Sequence, residues 1–367
     1  MSVAPPISLT EVVAGYGRNR PVLRDVSFDV PDGQLVAVLG TSGSGKSTLL
    51  RVIAGLLSPS SGAIAIFGKP VSGIKPQRRS IGLVFQSLAL FPNMTVAGNV
   101  DFGLRYAGLT QQQRRERIKE LLIALRLTAL AHSRPHQLSG GQAQRVALAR
   151  SLAAEPRILL LDEPFSSLDR PLADSARELV TRLHREKALT TIMVTHDREQ
   201  ALSVADRVLV LGANGFVVQD ATPTEVYETP LTAEAAALTG SANFLNGFVV
   251  GQSDGFARVQ TPQGVISARW IGSNKVPDCD TQVAVLVRPD WATLRFQRDP
   301  DSEIDCLRGV VNKAVHIGKR RYVNCTLGDK SFIFECNGSV SPTVGQPLTI
   351  CIEPGRAIAY LREGDDQ

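Results

Sequence analysis

The stretch LVAVLGTSGSGKSTLLRVI, residues 35–53, decides the fold of this 367-residue chain. Its apolar start predicts a buried parallel strand, and the apolar spacing from Lys46 onward predicts a helix that stops at Ser58-Pro59. Between them stand residues that match the phosphate-binding pattern G-x-x-x-x-G-K-[ST], namely Gly40, Thr41, Ser42, Gly43, Ser44, Gly45, Lys46 and Ser47. Strand, glycine loop and helix in this order are the context that the pattern requires, so the predicted fold class is α/β.

The residue types of this loop suit a triphosphate. Glycines let backbone N–H groups turn inward around an anion, and the helix that follows points its positive end at the phosphates. Lys46 adds a full charge near the β- and γ-phosphates, and Ser47 supplies a hydroxyl to Mg²⁺. The alternative is a glycine-rich turn that binds nothing, but this pattern rarely falls by chance between a strand and a helix. The sequence therefore predicts a nucleoside triphosphate site.

Two further apolar runs end in polar residues. ILLLDEP (158–164) predicts a buried strand ending in Asp162 and Glu163, and TTIMVTH (190–196) predicts another ending at His196. Carboxyl ends of parallel strands meet at the ligand-binding edge of an open α/β sheet. We expect Asp162 to hold the Mg²⁺ shell and Glu163 to polarise the attacking water. His196 at this edge is a candidate γ-phosphate contact, although a lone histidine is more often structural.

LSGGQAQRVALAR (138–150) predicts a helix that starts at Ser139, because Gln142 stands at the capping-box position. Glycines in its first turn leave backbone N–H groups open to an approaching anion. The alternative is a capped helix without a ligand, in which these glycines would only reduce stability.

The rest of the chain divides into regions of different character. The β-rich stretches of residues 7–30 predict an antiparallel layer beside the nucleotide strand, and Tyr16 between them could stack on adenine or pack in the core. After Gln86 a mostly helical insertion, about 87–155, interrupts the sheet. From about 239 to 367 short β-rich runs predict a small barrel or sandwich, which we expect to be a structural or regulatory domain. The first domain then covers 1–238.

Composition favours a soluble chain. The net charge is +5 with basic residues spread along the sequence, which argues against a nucleic-acid footprint. No apolar run approaches the ~20 residues that span a bilayer, and MSVAPPISLTEVV lacks the features of a signal peptide. We therefore expect a cytoplasmic protein. The odd cysteine count without C-x-x-C spacing favours free thiols over a metal site, for Cys279, Cys306, Cys325, Cys336 and Cys351.

Taken in order, the motifs resemble those of an ATP-binding-cassette (ABC) ATPase over residues 1 to about 238: GTSGSGKST, VFQSLALFP, LSGGQ, LLLDEP, SSLD and VTHD. The remainder resembles the C-terminal OB-like (TOBE) barrels of importer ATPases for maltose-type sugars, polyamines, ferric iron, sulfate or phosphonates. SLALFPNMTVAGNVDFGL, ANFLNG and VLVRPD support this subgroup.

The resemblance implies a role for each motif. Gly40 to Thr48 would hold the phosphates of ATP and Mg²⁺, with Ser47, Gln86 and Asp162 near the metal. Tyr16 would stack on adenine, Gln86 would contact the metal or water and sense a membrane partner, Glu163 would be the catalytic base and His196 the γ-phosphate sensor. Ser139, Gly140, Gly141 and Gln142 would contact ATP held by another copy, and Asp169 would lie at the dimer interface. Ala143, where glutamine is common, and Arg170-Pro171 after Asp169 depart from the family pattern.

The same resemblance implies a head-to-tail homodimer that clamps two ATP molecules. It would lie peripherally on the cytoplasmic face of the inner membrane and drive two membrane-spanning permease subunits fed by an external solute-binding protein. No nucleic-acid partner is expected. The competing hypotheses are a soluble ABC ATPase acting on nucleic acid or ribosomes and a P-loop kinase for a small molecule. LSGGQ and SSLD have no use in such a kinase, and the transported solute is not indicated by any motif.

Overall fold

The computed structural model describes residues 4–17, 20–105, 107–166, 168–272, 275–296, 304–317, 320–336, 342–353 and 355–362. The chain forms two compact units, residues 1–226 and residues 227–367. The second unit begins ahead of the boundary at 238 that the sequence indicated. Among the described residues no helix is both long enough and apolar enough to cross a membrane.

The first unit alternates strands and helices. Its strands are β1 (Ile7–Gly15), β2 (Pro21–Val30), β3 (Leu35–Leu39), β4 (Ser61–Ile66), β5 (Lys69–Pro70), β6 (Ile81–Val84), β7 (Ile158–Asp162), β8 (Thr190–Thr195), β9 (Arg207–Leu211) and β10 (Val217–Ala221). Its helices are α1 (Lys46–Ala54), α2 (Val96–Gly103), α3 (Gln111–Ala124), α4 (Gly140–Leu152), α5 (Arg170–Glu186), α6 (Arg198–Val204) and α7 (Pro223–Glu228), the last of which contains the boundary between the units.

A six-stranded sheet in the order β10-β9-β3-β8-β7-β6 forms the base of the site. Adjacent strands in this sheet are parallel, except that β10 pairs with β9 in the antiparallel direction. Strands β3, β7 and β8 are buried along their whole length, as is typical of parallel strands covered on both faces. A separate antiparallel sheet has the order β2-β1-β4-β5. The predicted α/β class and antiparallel layer are confirmed.

Helix α1 shares one core with both sheets. Its Leu49 and Ile53 are fully buried in the cluster that also contains Leu9 of β1 and Val38 of β3. Fully burying an aliphatic side chain of this size contributes about 1.5–3 kcal/mol. The helix is therefore held on two sides, and its amino end has a fixed position above the sheet.

The helical insertion interrupts the parallel sheet between β6 and β7. It contains α2, α3 and α4, with short 3-10 turns at Thr128–Leu130 and Pro135–Gln137. Another 3-10 turn, Pro76–Arg78, lies outside the insertion, before β6. Arg114 of α3 forms a bidentate pair with Asp101 of α2, at 2.9 and 2.6 Å. The insertion is therefore a helical subdomain that follows Gln86, as the sequence predicts.

After the end of α7, the described part of the second unit contains one helix, α8 (Ala233–Thr239), and ten strands. Its strands are β11 (Asn243–Ser253), β12 (Phe256–Thr261), β13 (Gly264–Trp270), β14 (Gln282–Val287), β15 (Ala292–Arg295), β16 (Cys306–Ile317), β17 (Arg320–Leu327), β18 (Lys330–Cys336), β19 (Pro347–Ile352) and β20 (Ala357–Leu361). Five of them close a barrel in the order β11-β12-β13-β20-β14, and the others form a sheet in the order β15-β19-β16-β17-β18. The predicted C-terminal all-β barrel is confirmed.

The cysteines correct one expectation. Cys306 and Cys351 are directly paired across the antiparallel strands β16 and β19, with Cα atoms 4.1 Å apart, and form a disulfide. The prediction that all the cysteines are free thiols was wrong, because strand register brings together two residues 45 positions apart in sequence. Cys279, Cys325 and Cys336 do not take part in this disulfide.

Candidate active site

The phosphate loop connects β3 to α1 without a side-chain cap on the helix. Gly45 precedes the helix in a left-handed conformation (φ 106°), and a Cβ there would lie 2.8 Å from a methyl group of Leu23. Only glycine fits both the conformation and the space. The first N–H groups of α1 therefore remain available to an anion, and its first turn contains no acidic residue.

Lys46 spans this loop from the first turn of α1. Its Nζ donates to the carbonyl oxygens of Gly40 and Thr41, at 2.9 and 2.8 Å. Burial lowers the pKa of the Lys46 ammonium from its ordinary value, while the charges of Glu163 and Asp162 act in the opposite direction. The lysine thus keeps the loop curled and holds positive charge where phosphates would lie.

Ser47 and Asp162 form an oxygen pair beside the loop. The Ser47 hydroxyl donates to Oδ1 of Asp162 at 2.8 Å, and Asp162 is buried at the end of β7. Burial raises the pKa of this carboxyl group, with the Ser47 hydrogen bond and the charge of Arg51 opposing the rise. A desolvated carboxylate beside a hydroxyl is a donor set that suits Mg²⁺, which prefers hard oxygen ligands. These residues fit the ion that the sequence predicts.

Glu163 lies where the ends of three adjacent strands meet. Its backbone is left-handed (φ 44°), a conformation that is uncommon outside glycine, and its N–H donates to the carbonyl of Val194 in β8 at 3.0 Å. Oε1 lies 3.0 Å from Nδ1 of His196, and Oε2 lies 3.5 Å from Nε2 of Gln86. The strand order β8-β7-β6 therefore brings together the three side chains predicted to be catalytic.

Tyr16 lies on the surface. Its side chain is 53% exposed, which excludes the core-packing alternative, and its hydroxyl accepts a hydrogen bond from Nη1 of Arg51. The sequence prediction missed Arg51. It stands four positions after Ser47 on α1, so helical spacing alone would have placed the two on one face.

The LSGGQ segment starts α4 as predicted. The Ser139 hydroxyl accepts from the N–H of Gln142 at 3.4 Å, and the Gln142 side chain accepts from the N–H of Ser139 at 2.9 Å. Among the described residues, no hydrogen bond joins 139–142 to the phosphate loop of the same chain.

Asp169 is the N-cap of α5. Its Oδ1 accepts from the N–H of Leu172 at 3.1 Å, and Pro171 lies in the first turn, where a missing N–H costs nothing. The departure at Arg170-Pro171 therefore leaves the start of the helix intact. Asp169 is exposed, and Ser167 of the SSLD string lies outside the described residues.

Comparison with known proteins agrees with this geometry. Residues 23–166 match the ABC transporter family model. The chain is 37% identical over 341 residues to the spermidine/putrescine import ATP-binding protein PotA of Thermobifida fusca, covering 91% of this chain and 87% of that protein. It is 46% identical over 248 residues to the sulfate/thiosulfate import ATP-binding protein CysA of Nocardia farcinica, covering 68% of this chain and 74% of that protein.

Solved structures match about three fifths of the chain. The dimeric structure of MJ0796, a bacterial ABC transporter cassette, superposes with a TM-score of 0.54 at 33% identity, covering 59% of this chain and 98% of the cassette. A second structure of that cassette, a post-hydrolysis state bound to ADP and Pi, gives a TM-score of 0.53 at 32% identity over the same shares of the two chains. With its phosphate loop, converging strand ends and appended barrel, the chain belongs to the ABC transporter family, among the ATP-binding, ATP-hydrolysing subunits of importers.

Proposed function

We propose that this chain powers solute import by hydrolysing ATP at the edge formed by the phosphate loop and the ends of β6, β7 and β8. The convergence of Gln86 and His196 on the Glu163 carboxylate, next to the Ser47–Asp162 pair, is the observation that carries this proposal. A site that only bound nucleotide would have no use for a carboxylate held in this way.

Each residue then has a chemical task. Gly40 to Thr48 bind the phosphates, and Lys46 neutralises charge on the β- and γ-phosphates. Mg²⁺, when bound by Ser47 and Asp162 with Gln86 nearby, supplies further positive charge to the phosphate oxygens. Glu163 orients the attacking water and accepts its proton, while His196 fixes the carboxylate and contacts the γ-phosphate.

The site is completed by a second copy of the chain. Ser139 and Gly140 are exposed at the amino end of α4 and have no hydrogen bond to the described phosphate loop of their own chain. In a head-to-tail homodimer the residues Ser139 to Gln142 would meet the γ-phosphate bound by the other subunit, with Asp169 at the interface. The solved cassette to which this chain is similar is also dimeric. Loss of the γ-phosphate removes the anion that both subunits share and reopens the dimer.

The dimer would work at the cytoplasmic face of the inner membrane with two permease subunits and an external solute-binding protein. Support comes from the relatives, which are named as import ATP-binding proteins. One is named for polyamines, which are cations, and the other for sulfate, an anion. Since such different solutes accompany similar ATPases, solute recognition belongs to the permease and the binding protein. Co-purification of the membrane partner would identify the system.

The test of the site is Glu163→Gln. We expect ATP affinity within about twofold of the wild type and turnover lower by about 10²–10⁴-fold, the usual contribution of a general base. Glu186→Gln on α5 is the matched control, because within the described part of the chain the Glu186 side chain takes part only in an exposed ion pair with Arg182, and such pairs contribute little. Normal turnover in Glu163→Gln would show that another group activates the water.

A further inference from the structure

The segment that follows Gln86 is held by the helix that begins with LSGGQ. Arg150, near the end of α4, donates from Nη1 to the carbonyl of Ala89 at 2.6 Å and from Nη2 to the carbonyl of Leu88 at 2.7 Å. Both are short, charge-assisted hydrogen bonds from one planar guanidinium group. A single side chain therefore connects α4 to the backbone two residues beyond Gln86.

The backbone at this contact is unusual. Leu88 and Ala89 both have left-handed conformations, with φ of 58° and 44°. Two consecutive non-glycine residues in this region are strained and persist only where their surroundings enforce them. Arg150 binds the carbonyl groups of the same two residues, so its guanidinium group stabilises the sharp turn directly.

The rest of the segment is attached to the helical subdomain as well. Asn99 of α2 accepts from the N–H of Phe91 at 2.8 Å and donates to its carbonyl at 3.2 Å. The Arg150 guanidinium also lies 5.6 Å from the centre of the Phe91 ring. Burial lowers the pKa of Arg150 from its ordinary value, as expected for a cation removed from water. Residues 88–91 are therefore connected to both α2 and α4. If these helices shift relative to the sheet, we expect residues 88–91 to shift with them and the backbone to bend near Gln86.

We propose that Arg150 is a positioning residue that couples the LSGGQ helix to Gln86. Helix α4 has Ser139 at its start and Arg150 near its end, so a displacement of its amino end on meeting ATP is carried through a rigid element to the turn at Leu88 and Ala89. The Gln86 amide then moves relative to Glu163, from which it now lies 3.5 Å. This inference rests on the proposed roles of Gln86 and Glu163.

The first test is Arg150→Met in the full-length chain. We expect kcat for ATP to fall about tenfold and KM to stay within about twofold, because the phosphate loop and Tyr16 are untouched. Arg150→Lys keeps the positive charge but not the paired N–H donors of the guanidinium group, so its kcat should lie between those of the wild type and Arg150→Met.

Arg117→Met is the matched control. Arg117 also donates to two carbonyl groups at the end of α4, those of Leu152 and Ala153, both at 3.3 Å. Its other partners among the described residues are Glu120 and Glu155, so none of these hydrogen bonds and ion pairs reaches residues 87–91. It should lose thermal stability with kcat within about twofold of the wild type at a temperature where all variants are folded. Equal losses of kcat in Arg117→Met and Arg150→Met would overturn the inference in favour of general loosening.

A double-mutant cycle with Gln86→Ala separates the inference from the proposed function. If Arg150 acts through Gln86, Arg150→Met should cause no further loss of kcat in the Gln86→Ala background. If the kcat of the double variant instead falls by the product of the two single losses, the two residues act independently. That result would overturn the proposed role of Arg150 and leave that of Gln86 intact. Unchanged kcat in Gln86→Ala alone would refute the proposed role of Gln86 and this inference with it.

Discussion

Three contacts fix the position of Glu163. One holds its backbone, and the other two restrict the orientation of its carboxylate group. The hydrogen bond from its N–H to Val194 fixes the backbone in the left-handed conformation, and His196 and Gln86 lie against the two carboxylate oxygens. A base that is oriented before the substrate arrives needs little reorganisation during the reaction. The strained backbone is therefore consistent with a chemical role at this residue.

Tyr16 offers a test of nucleotide recognition at a single residue. Its ring is exposed, and stacking of an aromatic ring on a base contributes about 1–3 kcal/mol. We expect Tyr16→Ala to raise the Kd for ATP about tenfold. Tyr16→Phe should leave the Kd within about twofold, because it keeps the ring and loses only the hydrogen bond between the hydroxyl and Arg51. Titration with a fluorescent ATP analogue measures both. If Tyr16→Phe binds ATP as weakly as Tyr16→Ala does, the hydroxyl and not the ring is the group that recognises the nucleotide.

The cysteines can be tested by counting reactive thiols. In the native protein we expect a thiol reagent to label Cys279 rapidly, since Cys325 and Cys336 are buried and burial raises the pKa of Cys325 to about 12. Denaturation without reductant should expose three thiols, and reduction should release Cys306 and Cys351 to give five. Five thiols before reduction would mean that the cross-strand pair is not oxidised in the protein as isolated.

Helix α5 carries a buried histidine that should make the first unit sensitive to acid. Nδ1 of His184 lies 3.1 Å from the Thr191 hydroxyl of β8, and Nε2 lies 3.9 Å from Oδ2 of Asp206. Burial lowers the pKa of His184, while the charge of Asp206 opposes the shift and Arg185 adds to it. Because the folded pKa is lowered, the unfolded chain binds the proton more readily. The contribution to stability is complete above about pH 6.5 and is lost as the pH falls towards the folded pKa.

We therefore expect the free energy of unfolding of the first unit to decrease between pH 7.5 and pH 5.5, and to decrease less in His184→Gln. Each unit of pKa displacement corresponds to about 1.4 kcal/mol. Urea unfolding followed by helical circular dichroism reports mainly on the first unit, while fluorescence of Trp270 and Trp291 reports on the second. Equal pH dependence in both proteins would show that His184 does not titrate in this range.

Elements defined by local sequence could be predicted, and contacts between distant elements could not. The phosphate loop, the ends of β7 and β8 and the cap at Ser139 follow from patterns a few residues long. The contact of Arg150 with Ala89 spans 61 positions, and the disulfide depends on the register of β16 against β19. Register is set by packing of whole sheets, so no short pattern predicts it. The positions of the strand ends were predictable because parallel strands place their carboxyl ends at one edge.

At the scale of the whole chain, the residues proposed for ATP hydrolysis belong to one unit and the all-β domain belongs to the other. All the residues proposed for the nucleotide site, from Tyr16 to His196, lie in the first unit, and the second contains a closed barrel and a second sheet. The cassette structure covers 59% of the chain, whereas the match to PotA covers 91%. The match to PotA must therefore extend into the second unit, because that unit is larger than the unmatched remainder of the chain.

The proposal that two copies share each ATP site leads to a prediction at the scale of the dimer. Lys46→Met should abolish ATP binding to its own phosphate loop. Gly140→Asp should keep its fold, because an acidic residue in the first turn of a helix is favourable and its Cβ would meet only the end of the Leu168 side chain, at 3.2 Å. Its negative charge would repel the γ-phosphate of the partner's ATP.

We expect neither Lys46→Met nor the double variant Gly140→Asp, Glu163→Gln to retain ATP through desalting on its own. The two variants are co-expressed with different tags and purified as the mixed dimer, which should retain about one ATP per dimer. In a symmetric head-to-tail pair, one site then combines the intact phosphate loop of the double variant with the intact LSGGQ segment of Lys46→Met. The Glu163→Gln homodimer, with about two, is the positive control. If the mixed dimer releases its ATP as fast as each parent variant, residues 139–142 do not complete the site of the other subunit.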